Sequence, residues 1–338
     1  IHGGYFKNFL RKYPEANLMQ KRMLYVSKNI SNDIKAKLSL WRGQCSCAYW
    51  HGIFGGLYLP HLRAAIYQHL IEAENTNITT HIESFDFDAD GEKEIVYSNE
   101  NFFFVIKTRK GSFIEIDDRK RKLNILNYIG RRKEKYHQRI STVSHAKTLQ
   151  SIHETLRSKE KNLQRYLIYD RYERSFGLDH RLTHVPTLED FRCGKNLGTI
   201  IDYQKYEVLD KKRPCIKFSG EIEKRIEIAE ENSKMLQLKY QADNRLLGIE
   251  FSLGLFGNNL RLKENKKLTE TQALDNINEF TILADNLSPI KFAAHEIFSL
   301  LAYPIETVSS SEAGFEKNFQ GFCLLLIFEK SPTISIKL

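Results

Sequence analysis

The chain has 338 residues, 41% of them hydrophobic and 28% charged, with 21 Phe and 16 Tyr. That is enough to bury the cores of roughly two domains and too aromatic for a chain that stays unfolded. Its 51 Lys and Arg against 42 Asp and Glu leave +9, but the basic residues come in short scattered groups, as at 119–122 and 131–133, without zinc-finger or RNA-motif spacing, which argues against nucleic acid as a partner.

Residues 1–75 read as helical. Pro14 and Glu15 suit a first helical turn, where a missing donor costs nothing and an acid meets the positive end of the helix. Met19, Met23, Val26 and Ile30 then recur at helical spacing. Asn32 and Asp33 offer a cap for a second short helix through Ala36, Leu38 and Leu40. A third follows Pro60, with Leu59, Leu62, Ile66 and Leu70 as its apolar stripe and Arg63, Tyr67 and Glu74 off it. The boundary is expected near 78, giving a helical segment at 1–78 and a second domain at 79–338.

From about residue 80 the period becomes two. Leu236, Leu238 and Tyr240 alternate with polar residues, as do Ile249, Phe251, Leu253 and Leu255, which predicts half-buried strands. Many strands over so long a stretch predict a large antiparallel sandwich, and the fold class is α+β, multidomain. Residues 145–165 read as a connection with one short helix. No apolar run approaches the roughly 18 residues of a membrane span, and no charged-then-apolar signal peptide opens the sequence. Five Cys, an odd number, fit a reducing, cytoplasmic compartment better than a disulfide framework. The first residue is Ile1 rather than Met, so the sequence reads as a piece of a longer protein.

The densest unusual run is Gln44-Cys45-Ser46-Cys47-Ala48-Tyr49-Trp50-His51-Gly52-Ile53-Phe54-Gly55-Gly56-Leu57-Tyr58-Leu59-Pro60. Glycines allow sharp turns and close approach, and Tyr and Trp present flat apolar faces with a polar handle. Such a loop suits a sugar ring, whose apolar face stacks on indole and whose hydroxyls seek groups such as imidazole. A plain helix–helix turn with a Trp and a Phe filling the core is the competing reading.

The run resembles the last signature of glycoside hydrolase family 57, the α-glucan-processing enzymes that include 4-α-glucanotransferases and some α-amylases. Phe9-Leu10-Arg11-Lys12-Tyr13-Pro14-Glu15-Ala16-Asn17 resembles the helical segment after that family's barrel. Asp86-Phe87-Asp88-Ala89-Asp90-Gly91, Tyr166-Leu167-Ile168-Tyr169-Asp170 and Pro304-Ile305-Glu306-Thr307-Val308-Ser309 resemble its C-terminal β domain. Ser46 departs from the family's usual Asn. The resemblance implies a galactose-mutarotase-like supersandwich after a three-helix segment that completes a sugar cleft. It implies α-glucan or maltooligosaccharide as substrate, retaining chemistry without a cofactor, and Trp50, His51 and Tyr49 as substrate-binding residues. The family's catalytic Glu and Asp lie in a (β/α)₇ barrel that precedes these helices. Neither matches a position here, so no catalytic residue is assigned, the missing barrel becomes a partner, and this chain alone is expected to be inactive. The rival reading is a stand-alone carbohydrate-binding or structural module.

Three further expectations follow from the residues. Asp86, Asp88, Asp90, Glu92 and Glu94 flank Gly91 with the alternate spacing of a calcium loop, although Tyr97 stands where an EF-hand has its bidentate Glu. Cys45, Cys47 and His51 lack the second pair that a structural zinc site requires, so Cys45 and Cys47 are expected as buried free thiols, and His61, His69, His153 and His180 as ordinary hydrogen-bonded histidines. In the family that the chain resembles, so small a segment packs on a barrel, so here it should expose an aromatic face drawn from Tyr5, Phe6, Phe9, Tyr49, Trp50 and Phe54, enough to make the isolated chain sticky or a homodimer.

Overall fold

A computed structural model describes residues 5–52, 55–142, 162–211, 213–229, 235–242, 245–257, 259–263, 265–285, 287–311 and 314–338. Phe54, His153 and most of the connection expected at 145–165 lie outside these residues.

Four α-helices open the fold: α1 (Phe6–Lys12), α2 (Pro14–Asn29), α3 (Ile34–Gly43) and α4 (Pro60–Glu74). Pro14 and Pro60 begin their helices, where the pyrrolidine ring presets φ. Asp33 caps α3 by accepting from the Lys35 amide at 3.3 Å. Tyr13, Met19, Val26, Leu40, Leu57, Ile66 and Leu70 form the helical core, and Ile129 enters it from the following domain. The expected stripe on α4 is there, but Arg63, Tyr67 and Glu74 are buried as well. This helix is covered on more than one side, by α2 and α3 and by the sheet, and its charged residues stay buried because each has partners.

The described strands form one antiparallel assembly of 17, a large sandwich. It opens with β1 (His81–Phe85), β2 (Glu94–Ser98), β3 (Phe102–Lys107) and β4 (Ser112–Asp118), each paired with the next. Strand Leu247–Leu253 lies between Phe176–Arg181 and Gly314–Phe328, with Ile249 opposite both Asp179 and Leu326. Phe104, Phe113, Phe176, Phe251 and Phe292 fill the main core.

The expected alternation holds at Met235–Gln241, where Leu236, Leu238 and Tyr240 are buried and their neighbours less so. It fails at Leu247–Leu253, buried on both faces. Glu250 was expected in solvent. It is fully buried because Arg174 (3.1 Å), His180 (3.0 Å) and the Tyr172 hydroxyl (2.6 Å) hold its carboxylate. The neighbouring Asp179 points to the other face and meets Lys224 at 2.8 Å with the hydroxyls of Tyr203 and Tyr240.

Helices and sandwich share a buried charge network. Arg22 of α2 bonds Glu74 of α4 at 2.9 and 2.7 Å and reaches Glu115 (2.7 Å) and Asp117 (3.1 Å) of β4. Arg63 donates to Asn127 Oδ1 at 2.9 Å and to Gln320 Oε1 at 2.8 Å, tying α4 to two distant parts of the sandwich.

Candidate functional site

The run between α3 and α4 forms a tight turn set by its glycines. Gly56 sits at φ 51°, in the left-handed region, and a Cβ there would lie 2.0 Å from the Trp50 carbonyl oxygen. That carbonyl accepts the Leu57 amide at 2.8 Å. The close approach fixes the backbone at Trp50, which glycine alone permits.

Trp50 is 37% exposed. Its ring stacks on Phe9 at 4.7 Å and lies 6.1 Å from Phe6, so α1 backs the indole. Beside it is a mostly apolar cavity of about 690 Å³ lined by Phe6, Met23, Trp50, Leu59 and Leu62. Tyr49 also borders this cavity, but its side chain is buried and its hydroxyl donates to the Gly43 carbonyl at 2.7 Å, so it supports the turn from beneath and is not the open aromatic platform expected there. Of the expected aromatic face, Tyr5, Phe6 and Trp50 are exposed and Phe9 is half-buried.

His51 stands among tyrosines, edge-on to Tyr58 (4.9 Å), Tyr136 (5.7 Å) and Tyr13 (6.5 Å). Burial lowers its pKa, opposed by the nearby Glu134 charge, so the neutral ring is favoured. Its Nδ1 is buried without a hydrogen-bond partner among the described residues. Glu134 accepts from Lys12 Nζ (2.6 Å), the Tyr13 hydroxyl (2.7 Å) and the Tyr58 hydroxyl (2.9 Å). Burial opposes its charge, but these three donors hold its pKa below the ordinary carboxylate value. Sequence reasoning missed Glu134, Lys12, Tyr13, Tyr58 and Tyr136. The one available signal was a lone acid inside the basic stretch beginning at Arg131.

The five acidic residues proposed for calcium do not converge as a set. Asp86, Asp88 and Glu94 bring carboxylate oxygens within 4.8 Å of one another. Yet Lys107 places its ammonium on Asp88 (2.6 Å), Asp90 (2.5 Å) and Glu94 (3.2 Å), where a cation would otherwise balance them. Asp86 accepts the Asp90 and Gly91 amides at 3.1 Å each, and Glu92 pairs with Arg109 at 2.9 Å. Cys45 and Cys47 are free but exposed, against the expectation of burial, because the short turn at Ser46–Tyr49 carries both outward. His69 pairs with Glu72 and His180 with Glu250.

Residues 4–77 match the family model described as the middle domain of α-amylase/4-α-glucanotransferase, and residues 86–338 match that of its C-terminal domain. The chain belongs to the α-amylase/4-α-glucanotransferase family. It is 34% identical to α-amylase 1 of Dictyoglomus thermophilum, over 97% of this chain and 52% of that protein. It is 30% identical to a 4-α-glucanotransferase of Thermococcus kodakarensis, over 100% of this chain and 52% of the relative. The crystal structure of 4-α-glucanotransferase from Thermococcus litoralis matches with a TM-score of 0.79 at 27% identity, covering 100% of this chain and 51% of that one. The chain thus spans about half the length of these family members and carries the middle and C-terminal domains.

Proposed function

We propose that this chain is the middle and C-terminal part of a retaining α-glucan-processing enzyme of the glycoside hydrolase family 57 type, which cleaves α-1,4-glucan and passes the glycosyl unit to a sugar or to water. The observation that carries this reading is the pairing of a half-exposed Trp50, backed by Phe9, with a His51 whose Nδ1 lacks a partner among the described residues. Trp50 stacks on a glucosyl ring, and His51 bonds a hydroxyl. Glu134 with Lys12, Tyr13 and Tyr58 sets the imidazole's surroundings.

Retaining hydrolysis needs two carboxyl groups roughly 5 Å apart across the scissile bond, and in this reading both belong to the catalytic half that the longer relatives possess. The apolar cavity beside Trp50, with the exposed Tyr5 and Phe6, is the surface that meets that half. The reaction needs no cofactor, and we place the enzyme in the cytoplasm. No helix among the described residues is long and apolar enough to cross a membrane.

The test has two arms. The 338-residue chain alone should not turn over maltooligosaccharides, and turnover abolished by changing one of its own carboxylates would overturn the reading. In a complete protein that includes this sequence, Trp50→Ala should lower glucan processing by about 1–3 kcal/mol in kcat/KM, the scale of aromatic stacking on flat rings; unchanged processing would remove Trp50 from the cleft.

A further inference from the structure

Glu134 belongs to the C-terminal domain, yet its described side-chain partners all belong to the middle domain. The carboxylate is buried. Its Oε1 accepts from both the Tyr13 and Tyr58 hydroxyls, at 2.7 and 2.9 Å, and its Oε2 from Lys12 Nζ at 2.6 Å. Hydrogen bonds to an ionised acceptor are the strong ones, so neither tyrosine turns without breaking a bond to a buried anion. The Glu134 backbone is fixed from the opposite side. Its amide donates to His137 Nδ1 at 3.2 Å, so His137 carries its proton on Nε2 and donates it to the Val308 carbonyl at 2.9 Å. The Tyr136 hydroxyl donates to the same carbonyl at 3.4 Å.

These ties account for each ring around His51 among the described residues. Tyr58 (4.9 Å) and Tyr13 (6.5 Å) are bonded to the Glu134 carboxylate, and Tyr136 (5.7 Å) follows two residues after it and is tied to the same strand. The charged groups that face His51 are Glu134 and Lys12, and they act in opposite senses. Burial lowers the His51 pKa most, the Glu134 charge raises it and the Lys12 charge lowers it. Burial above all keeps the hydroxyls of Tyr13, Tyr58 and Tyr136 protonated, so these rings bring no charge of their own. An imidazole that bonds a sugar hydroxyl must be held in one orientation, and a small misplacement of such a group is costly.

We infer that Glu134 is a positioning residue for the sugar cleft: a carboxylate supplied by the β-sandwich fixes the tyrosine rings that set the His51 imidazole for a glucosyl hydroxyl. The sugar in this statement rests on the proposed function above, while the hold of Glu134 on His51 rests on the geometry alone. The C-terminal domain thereby takes part in substrate binding as well as in support.

Two measurements test this, one of them independent of activity. In the 338-residue chain, the His51 Cε1–H resonance, assigned by its loss in His51→Gln, is followed against pH by NMR. Glu134→Gln keeps the shape and removes the negative charge, so the His51 midpoint should move to lower pH, and the neutral ring's resonance should shift as the tyrosines around it loosen. Lys12→Gln, at a half-exposed position, should move the midpoint to higher pH. In a complete protein that includes this sequence, Glu134→Gln should lower kcat/KM for maltooligosaccharides about three- to tenfold, the worth of one hydrogen bond. Tyr58→Phe, which keeps the charge and removes one bond, should lower it as well. A lower melting temperature in Glu134→Gln, with the His51 midpoint, its resonance and kcat/KM all unchanged, would mean a merely structural carboxylate and overturn the inference. Should Glu134→Gln fail to fold, an unmoved midpoint in Lys12→Gln together with unchanged kcat/KM in Tyr58→Phe overturns it equally. Trp50→Ala separates the two readings. Normal processing by Trp50→Ala beside a shifted His51 midpoint in Glu134→Gln overturns the proposed function and leaves the hold of Glu134 on His51 standing. Reduced processing by Trp50→Ala beside an unaffected Glu134→Gln overturns the inference alone.

Discussion

Lys107 sets the character of the acidic loop. Its ammonium lies among Asp88, Asp90 and Glu94, and burial, with Asp88 beside it, still raises the Glu94 pKa to about 7. With that cation built into the chain, calorimetry of the wild type with calcium and with chelator should give superimposable traces. A melting temperature that rises with calcium would show that the ion displaces Lys107. Lys107→Met leaves fully buried Glu94 unpaired and should cost about 3–5 kcal/mol, part of which calcium should restore through Asp86, Asp88 and Glu94. Gly56 has the same kind of leverage on Trp50. Gly56→Ala must adopt a left-handed backbone, at about 1–2 kcal/mol, and also meets the Trp50 carbonyl. In a Trp41→Phe background, where Trp50 is the only indole, its fluorescence should shift measurably. An unchanged spectrum would mean that the turn does not position the ring.

Strand Leu247–Leu253 shows how an element is decided by partners outside it. Its core face, with Ile249 and Phe251, follows from alternation, but the opposite face is buried because Glu250 meets Arg174 and His180. Burial opposes ionisation of Glu250 and of Asp170, yet Arg174 beside both brings each folded pKa to about 2. These values lie below the ordinary carboxylate range near 4, so the stabilisation is complete above about pH 5 and is lost as pH falls through 4 towards 2. At about 1.4 kcal/mol per unit, each carboxyl contributes roughly 2–3 kcal/mol. Urea midpoints measured from pH 5 to pH 2.5 should fall steeply in wild type and less steeply in Glu250→Gln, which starts from lower stability. Parallel curves for the two proteins would remove Glu250 from the acid sensitivity.

On the scale of the whole molecule, a helical segment of this size would be marginal by itself. Arg22 and Arg63 alter that expectation, since both are fully enclosed and both bond the sandwich as well as the helices. Separating the two parts would strand these cations without partners, so calorimetry should show one transition. Hydrogen exchange should be as slow in α4 as in the strands around Phe251 and Leu325, and faster in α1, which carries the exposed Phe6. Two resolved transitions would mean that the networks do not couple the parts. The exposed aromatics at Tyr5, Phe6 and Trp50 should also make this chain associate as its concentration rises, seen by sedimentation, while a protein with the catalytic half attached stays monomeric. Concentration-independent sedimentation of the chain would leave that face without a role in association.

The sequence by itself determined what depends on neighbours in the chain. Pro14, Asp33 and Pro60 start or cap helices, the alternation at Leu236, Leu238 and Tyr240 makes a strand, and the run around Trp50 marks the family and its most distinctive turn. These are properties of short windows, because backbone geometry and side-chain periodicity act over a few residues. Tertiary structure alone decided which polar residues are buried and what each one meets. Tyr13 finds Glu134 across 121 positions, His180 finds Glu250 across 70, and Arg63 finds Gln320 across 257. Lys107 reaches Asp90 across 17, which sets one of the chain's own cations among the carboxylates of the acidic loop. A charged side chain can be buried only beside a partner that offsets its lost hydration, and no local pattern of residues records where that partner will be once the sandwich has closed.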